Sequence, residues 1–485
     1  MKERLPNIVF VFSDQHRFCD VGYAGNSEVR TPNLDRLARR GAVFRTTYSN
    51  CPVCVPARGT LLTGLHALRH GAAANDLPIR PQCVSIADVL NKAGYTTAYI
   101  GKWHLGGAPR DQFITHYNRL GFQYWRANNC NHDYLAGYYD DNSNRRFPID
   151  GYAPEGETTL ALQFMEQAAG LGDGKPDGGK RQSGDLRGGE SDGGGQRKPF
   201  AVFLGYGSPH DPYLKLPEPE RERALRRNVT FRENVAEPPR DGEISIEPYD
   251  LQKFYAGYYG HIELIDKQVG RLADWLDGHG LFENTIFVYT SDHGDMLGSH
   301  GYLNKQMYFD EGSRVPFVIS WPGHIPAGER EQLLSLVDVA PSLAGLVGER
   351  FEREVDGRDL SGVMKNPEQP GQDYVYLYSY VPCHQAKYRK LPSWRALTDG
   401  ERLLVTDQAG EAVCMYDTKN DPFQMRDVVD DPAWQGRREQ MAKALAGEVR
   451  LHDGYMPWQE LLKRHRLDDL WQESEAFFAK LFTHC

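Results

Sequence analysis

Cysteine is scarce in this chain. Eight cysteines (Cys19, Cys51, Cys54, Cys83, Cys130, Cys383, Cys414 and Cys485) are spread over 485 residues, too few and too scattered for a disulfide scaffold. Long apolar runs are missing as well. Nothing reaches the roughly 18 consecutive apolar residues that mark a membrane-spanning helix, so no membrane partner is expected. Basic residues are not in excess: Lys plus Arg number 56 against 66 Asp plus Glu, a net charge of −10. That argues against a nucleic-acid-coating surface. No internal repeat is visible. The first strand candidate starts at Asn7, directly after MKERLP. This leaves no room for a secretory leader and predicts a cytoplasmic protein. What is present is ordinary for a globular protein, with 40 % hydrophobic and 25 % charged residues. The length suffices for a large core and, at about 150 residues per domain, for two or three domains.

The opening reads as α/β. Ile8-Val9-Phe10-Val11-Phe12 is a continuous β-prone run, the mark of a strand buried on both faces. It ends on Ser13-Asp14-Gln15, polar residues at the end of a strand where open α/β sheets place their sites. Thr31 and Pro32 start a helix that Gly41 ends. A short helix is predicted over Ser85–Ala93, a strand over Thr96–Ile100 and a helix over Thr158–Ala169. Residues 170–198 hold eleven glycines among charges, which reads as a disordered insertion. They follow no strand and open no helix, so a phosphate-cradling loop is disfavoured. Pro199–Tyr206 returns to strand, Tyr249–His279 reads as a long amphipathic helix, and Thr285–Thr290 and Val315–Trp321 as strands. Beyond about Asp373 short strands alternate with turns, which predicts a small antiparallel sheet, and a charged amphipathic tail runs from about Ala433. The expected division is a large domain over 1–373 and a small C-terminal α+β unit over 374–485.

Four strand ends carry chemistry-bearing residues: Asp14-Gln15, Lys102 with His104, His210, and Asp292-His293. One such histidine is more often a structural hydrogen-bonder. Four at the same end of parallel strands suit a hard divalent cation. The segment Cys51-Pro-Val-Cys54-Val-Pro-Ala-Arg58-Gly-Thr-Leu-Leu-Thr63-Gly64 stands out most. Its Cys-x-x-Cys spacing allows a redox pair or half a zinc site, but no second Cys pair or His pair completes zinc. A plain buried cysteine is the other reading.

Here the chain resembles the sulfatase family of the alkaline-phosphatase-like superfamily. The family signature is Cys-x-Pro-(Ser/Ala)-Arg followed, after four residues, by Thr-Gly, and Cys54 to Gly64 match it. The stretches TPNLDRLARRGAVFRTTYSN before it, GKWH at 101–104, SPHDPY at 208–213, SDHGD at 291–295, Lys305 with YFDEGSRVPFVISWPG, and YDTKNDP at 416–422 are similar to the family too. The resemblance implies a large alkaline-phosphatase-like domain with a mainly parallel mixed sheet between helices, plus a small C-terminal domain with an antiparallel sheet. It implies a hydrolase that splits a sulfate monoester into alcohol and inorganic sulfate.

The resemblance also implies that a maturation enzyme oxidises Cys54, at the head of a helix, to formylglycine. One oxygen of its hydrate attacks sulfur, and loss of the second hydroxyl proton then expels sulfate. Asp14, Gln15, the modified Cys54, Asp292 and His293 would hold one divalent cation, calcium. Arg58 would orient the hydrate, Lys102 and Lys305 would pair with sulfate oxygens, His104 would take the proton, and His210 would protonate the leaving oxygen. Gln15 and His293 depart from the Asp and Asn that many members carry, which leaves two formal negative charges in the cation shell. Asp295, Asp310, Glu311 and Arg314 are expected to support the site structurally. The rival readings are a phosphonate monoester or phosphodiester hydrolase of the same superfamily, which generally lacks the GKWH stretch, and an inactive binding homologue. The organic part of the substrate stays open among sugar, alkyl and aryl sulfates, with loops 105–156 and 211–248 expected to set it. The aromatic stretch Tyr117–Tyr139 fits either a sugar-stacking surface or the core of an inserted subdomain.

Overall fold

The apolar run at 8–12 forms the spine of the molecule. In the computed structural model, which describes residues 4–171, 191–192, 196–236, 249–381 and 392–482, strand β1 (Asn7–Asp14) is buried along its whole length. Its side chains alternate between two cores. Ile8, Phe10 and Phe12 join one with Leu61, Ile86 and Leu336; Val9 and Val11 join the other with Leu34, Phe164 and Ile265. A strand covered by helices on both faces must be apolar on both sides, which is why the run reads as continuous rather than alternating.

Three further strands, β2 (Thr96–Lys102), β3 (Phe200–Pro209) and β4 (Thr285–Ser291), complete the centre. They lie in the order β4-β1-β3-β2 and are mutually parallel. Among the described residues the sheet has ten strands. Tyr124–Asn128 adds to β2 in parallel, followed by an antiparallel hairpin of Tyr138–Asp140 and Arg146–Pro148. On the other side Phe317–Ser320 runs antiparallel to β4, and Ala42–Phe44 and Gly328–Arg330 close the edge. Ser13 lies opposite Ser291 and Gly101 opposite Gly205, so the C-terminal tips of all four central strands come level. Gly101 is required there: at φ +92 a Cβ on it would sit 2.2 Å from the Gly205 carbonyl oxygen.

The helices match the expected ones with adjusted ends. Helix α1 is Pro32–Arg39, α2 is Cys54–Thr63, α3 is Ile86–Lys92, α4 is Ala153–Ala168 and α5 is Leu251–Gly278. Ser85 starts α3 with a full capping box to Asp88. The helix expected to begin at Thr158 begins five residues earlier. Pro154 sits in its first turn, where the missing N–H has no bond to lose, and the apolar periodicity that marks the helix only sets in later. The strand expected over Val315–Trp321 is trimmed to Phe317–Ser320. The glycine-rich stretch at 170–198 lies almost wholly outside the described residues, as do Cys383 and Cys485.

A separate four-stranded antiparallel sheet follows, built from Val375–Ser379, Trp394–Thr398, Leu403–Thr406 and Ala412–Tyr416 in that order. The C-terminal tail forms helices Gln435–His452, Trp458–His465 and Asp468–Phe482. Their apolar faces share a core with Tyr48, Cys51, Val53, Met296 and Met307. Among the described residues no helix is long and apolar enough to cross a membrane.

Candidate active site

The level tips of the four central strands and the head of α2 meet at one point. Helix α2 is buried all round and starts at Cys54, with Gly64 ending it in the left-handed conformation at φ 66. Its dipole turns a positive end toward the strand tips, which favours an anion there, although the Val55 N–H is taken by the Asn75 side chain at 3.2 Å and Pro56 has none. Cys54 is fully buried. The Lys305 ammonium and His293 Nε2 each stand 3.1 Å from its Sγ. Burial alone would raise the thiol; Lys305, His293 and Lys102 overcome it and hold it well below the usual thiol range. Cys51 is buried, and neither a disulfide nor a zinc cluster forms at the Cys-x-x-Cys spacing among the described residues.

Arg58, one turn into α2, is the hub of the carboxylates. Its Nε donates to Asp292 Oδ2 at 2.9 Å, one Nη to Asp14 Oδ2 at 3.1 Å, and the other to the Lys102 carbonyl at 2.6 Å. Lys102 Nζ donates to the same Asp14 Oδ2 at 2.6 Å. Burial and Cys54 push Asp14 up, but Lys102, His210 and Arg58 outweigh them and keep it ionised well below its ordinary range. Asp292 moves the other way, because burial and the ionised Asp14 beside it both disfavour a second negative charge. Two carboxylates in one dry site cannot both ionise without more positive charge.

That conflict is what a divalent cation resolves, and the donor set fits one. Ligand atoms of Asp14, Cys54, Asp292 and His293 lie within 4.8 Å of one another, all buried. Asp14 Oδ1 takes no lysine or arginine; its neighbours are Cys54 Sγ and His293 Nε2, each at 3.6 Å. The His293 ring is turned by an Nδ1 contact to the Gly294 carbonyl at 2.8 Å, which points Nε2 at the cluster, where it would ligate a cation once its proton is given up. Gln15 sits beside this set in a left-handed backbone conformation, φ 73. Its amide nitrogen donates to Asp295 at 2.7 Å, and its oxygen accepts from Lys305 at 3.0 Å. Asp295 also accepts from the Tyr213 hydroxyl at 2.6 Å, so it supports the site by turning the Gln15 carbonyl inward.

The far wall holds the histidines. His210 Nδ1 lies 3.0 Å from an Asp211 carboxylate oxygen, and its Nε2 is 2.6 Å from Lys305 Nζ. Burial and Lys305 disfavour a charged ring, but Asp211 and Asp14 raise it to about 10. One N···N contact holds only one proton, so lysine and imidazole share it until an anion arrives and lets both carry charge. His104 is buried at the left-handed φ of 60, within electrostatic reach of the Cys54 and Cys130 thiols. Neither of its ring nitrogens has a hydrogen-bond partner of ordinary geometry.

All ten expected site residues therefore converge. Three further groups join them unforeseen. His132 stacks on His210, Cys130 lies beside His132 and His104, and the Tyr134 hydroxyl stands 2.8 Å from both the Gly207 and His210 carbonyl oxygens, able to donate to one at a time. The same rule that marks the other strand tips applies to His132, which follows Tyr124–Asn128. The aromatic stretch Tyr117–Tyr139 is mostly core, with Phe122, Tyr124, Trp125 and Tyr134 buried and Tyr117 80 % exposed. The second sheet also reaches the site: the Trp394 indole donates to the Gln306 carbonyl at 2.9 Å, and the Gln306 N–H to the Pro52 carbonyl at 3.1 Å. These bonds brace Lys305 against the start of α2.

A buried helix head ringed by two lysines, two carboxylates and three histidines at the tips of a parallel sheet fits a hydrolase of the alkaline-phosphatase-like class. Residues 6–349 match the sulfatase family, and residues 298–450 match the C-terminal region of N-sulphoglucosamine sulphohydrolase. The chain belongs to the sulfatase family, and the enzyme is a sulfate ester hydrolase. It is 32 % identical to an ulvan-active sulfatase of Formosa agariphila, over 95 % of this chain and 84 % of that protein. It is 23 % identical to an N-acetylglucosamine-6-O-sulfatase of Bacteroides thetaiotaomicron, over 91 % of this chain and 85 % of the other. Its fold is similar to that of a putative sulfatase from Bacteroides fragilis, with a TM-score of 0.78, 24 % identity, and coverage of 93 % of this chain and 96 % of the other.

Proposed function

We propose that this enzyme removes sulfate from a sulfated sugar, with Cys54 matured to formylglycine and one divalent cation, calcium, held by Asp14, Gln15, Asp292, His293 and the matured residue 54. The observation that carries this reading is Cys54 at the head of α2 with Lys305 and His293 at 3.1 Å from its Sγ. The names of the relatives point to the sugar. The cation supplies Lewis-acid polarisation of a sulfate oxygen, and the formylglycine hydrate supplies the oxygen nucleophile.

The chain's own residues do the rest. Arg58 keeps both carboxylates in place and the α2 head dry. Lys102 and Lys305 face the nonbridging sulfate oxygens, where charge gathers as the ester bond breaks. His210, its ring set by Asp211, holds a proton on Nε2 for the departing alkoxide. His104, beside the Cys54 side chain, takes a proton from the hydrate so that sulfate can leave. Residues 1–373 form the catalytic unit in this reading, and 374–485 a smaller unit that braces Lys305 through Trp394.

The test is a panel run on enzyme co-expressed with a formylglycine-generating enzyme: sulfated mono- and oligosaccharides, an aryl sulfate and an aryl phosphonate. Turnover of sulfated sugars is expected, together with a loss of about 18 Da from the Cys54 peptide. Preference for the phosphonate would move the assignment to the phosphonate monoester hydrolases. Full turnover with an unmodified thiol would overturn the formylglycine, and no turnover of any ester would favour a binding homologue.

A further inference from the structure

One side chain touches both halves of the reaction and belongs to neither. His132 lies in the turn after Tyr124–Asn128, the strand paired with β2 so that Asn128 lies opposite Lys102. The Trp103 N–H donates to the Asn128 carbonyl at 2.8 Å, and the His104 N–H to that of Asn129, so the two strand tips move as one. The turn is pinned from outside. The Cys130 N–H donates to the Arg110 carbonyl at 3.1 Å, and Arg110 grips Asp76 at 2.8 and 2.9 Å. The Asp133 N–H closes back on the Asn131 side chain at 3.0 Å.

From this fixed turn the imidazole makes three contacts, one of them a long one from Nε2 to the Cys130 Sγ at 3.6 Å. Lys102 Nζ lies 3.2 Å from its Nε2. The ring lies flat against His210, with centroids 4.5 Å apart and planes 8° from parallel. An ammonium donates and does not accept, so Nε2 carries the lone pair and the proton sits on Nδ1. Burial, with the charges of Lys102 and His210, outweighs Cys130 and holds the ring neutral, pushed down to about 4. Once an anion lets His210 carry its proton, a neutral aromatic face against that cationic ring is attractive, whereas two imidazolium rings in the stack would repel.

We propose that His132 is a positioning residue that locks the Lys102 ammonium and the His210 ring into one unit, so that the sulfate clamp and the proton donor to the leaving oxygen keep a fixed spacing. The inference rests on the roles given above to Lys102 and His210. Lys102 has three donors. Asp14 takes one and His132 a second, which aims the third. His210 is turned by Asp211 at its edge and by His132 on its face, so its Nε2 has one direction left.

The contacts to Lys102 and His210 can be removed separately in the matured enzyme. His132→Phe keeps the ring face and drops the acceptor. It should raise KM and the inhibition constant of inorganic sulfate by about 10–100-fold, equally for every leaving group. His132→Gln keeps an acceptor and drops the ring. It should leave an aryl nitrophenyl sulfate within about threefold of wild type while cutting turnover of a sugar or alkyl sulfate by about 10²-fold, the low end of general-acid assistance. The measurement is kcat and KM across esters of graded leaving-group acidity, with sulfate inhibition and Tm for each variant. An equal loss on all esters that tracks a fall in Tm, or wild-type values in both variants, would overturn the inference and leave the sulfatase reading standing. If the wild-type matured enzyme turned over no sulfate ester, both would fall together.

Discussion

Two fully buried arginines show how differently this chain uses the same ion pair. Arg395, in the second sheet, meets Asp453 through two parallel bonds of 3.0 Å each. Its remaining donors go to the Ser379 and Trp394 carbonyls, and its face lies 4.6 Å from the Tyr380 ring centroid. One positive charge meets one negative charge, and the bidentate fork is fully used. Arg58 is as deeply buried, yet it is shared by Asp14 and Asp292 and stands among Lys102, Lys305, His210 and His293. Asp14 Oδ1 meets the Cys54 thiol, a weak donor, at 3.6 Å, and neither His104 nitrogen has a partner of ordinary geometry among the described residues. The balanced pair stabilises a fold. The unbalanced cluster holds buried polar groups short of partners, a costly state that a cation and an anionic substrate would relieve.

That contrast is sharpened most by the largest effects. Cys54→Ala should abolish turnover of sulfate esters, whereas Cys51→Ala should leave it near wild type; steady-state kinetics of the two matured variants tests this. Wild-type enzyme should carry one divalent ion per chain by elemental analysis, and Asp292→Ala should lose it together with nearly all activity. Retention of full activity after exhaustive chelation would break the distinction between the two arginine sites. His104→Ala should slow turnover by about 10²–10⁴-fold, and by the same factor for good and poor leaving groups, unlike a change at His210. In the balanced region, Asp453→Asn should lower stability by about 3–5 kcal/mol, since it strands a buried guanidinium, while folded enzyme keeps wild-type kcat. Denaturant unfolding with parallel kinetics separates those two outcomes.

A smaller effect follows from Glu157, which lies between the two extremes. It is buried on α4, with one carboxylate oxygen unpartnered. Burial raises it to about 8, against the pull of Arg58. The folded state therefore holds a proton that the unfolded chain releases near its ordinary 4.5. This contribution is fully present below pH 4.5 and is lost as pH rises through 8. Glu157→Gln should flatten the fall in Tm across that window and stabilise the enzyme above pH 8. An unchanged pH profile would show the carboxyl ionised in the fold.

The strand tips were legible because they depend on neighbours. Asp14, Lys102, His210 and Asp292 each follow an apolar run that can only be a buried strand, and the signature around Cys54 names its own chemistry. His132 escaped because YWRAN mixes bulky aromatics with Arg126, and nothing local shows that it pairs with β2. The early start of α4 escaped because a first-turn proline precedes the apolar periodicity. The brace from Trp394 to Gln306 spans 88 residues, and no pattern in either segment announces it.

By itself the sequence determined the strands and the places where polar residues end them, since short-range sterics and hydrophobic periodicity decide those, and its signature picked out Cys54. Only the tertiary structure decided which charges face Cys54. Lys305 lies 251 residues away in the chain and His293 lies 239, yet each stands within hydrogen-bond reach of the thiol. In a dry site an interaction at that range is strong and one a few ångströms longer is much weaker, so the ionisation of Cys54, Asp14 and Asp292 follows from packing and not from composition.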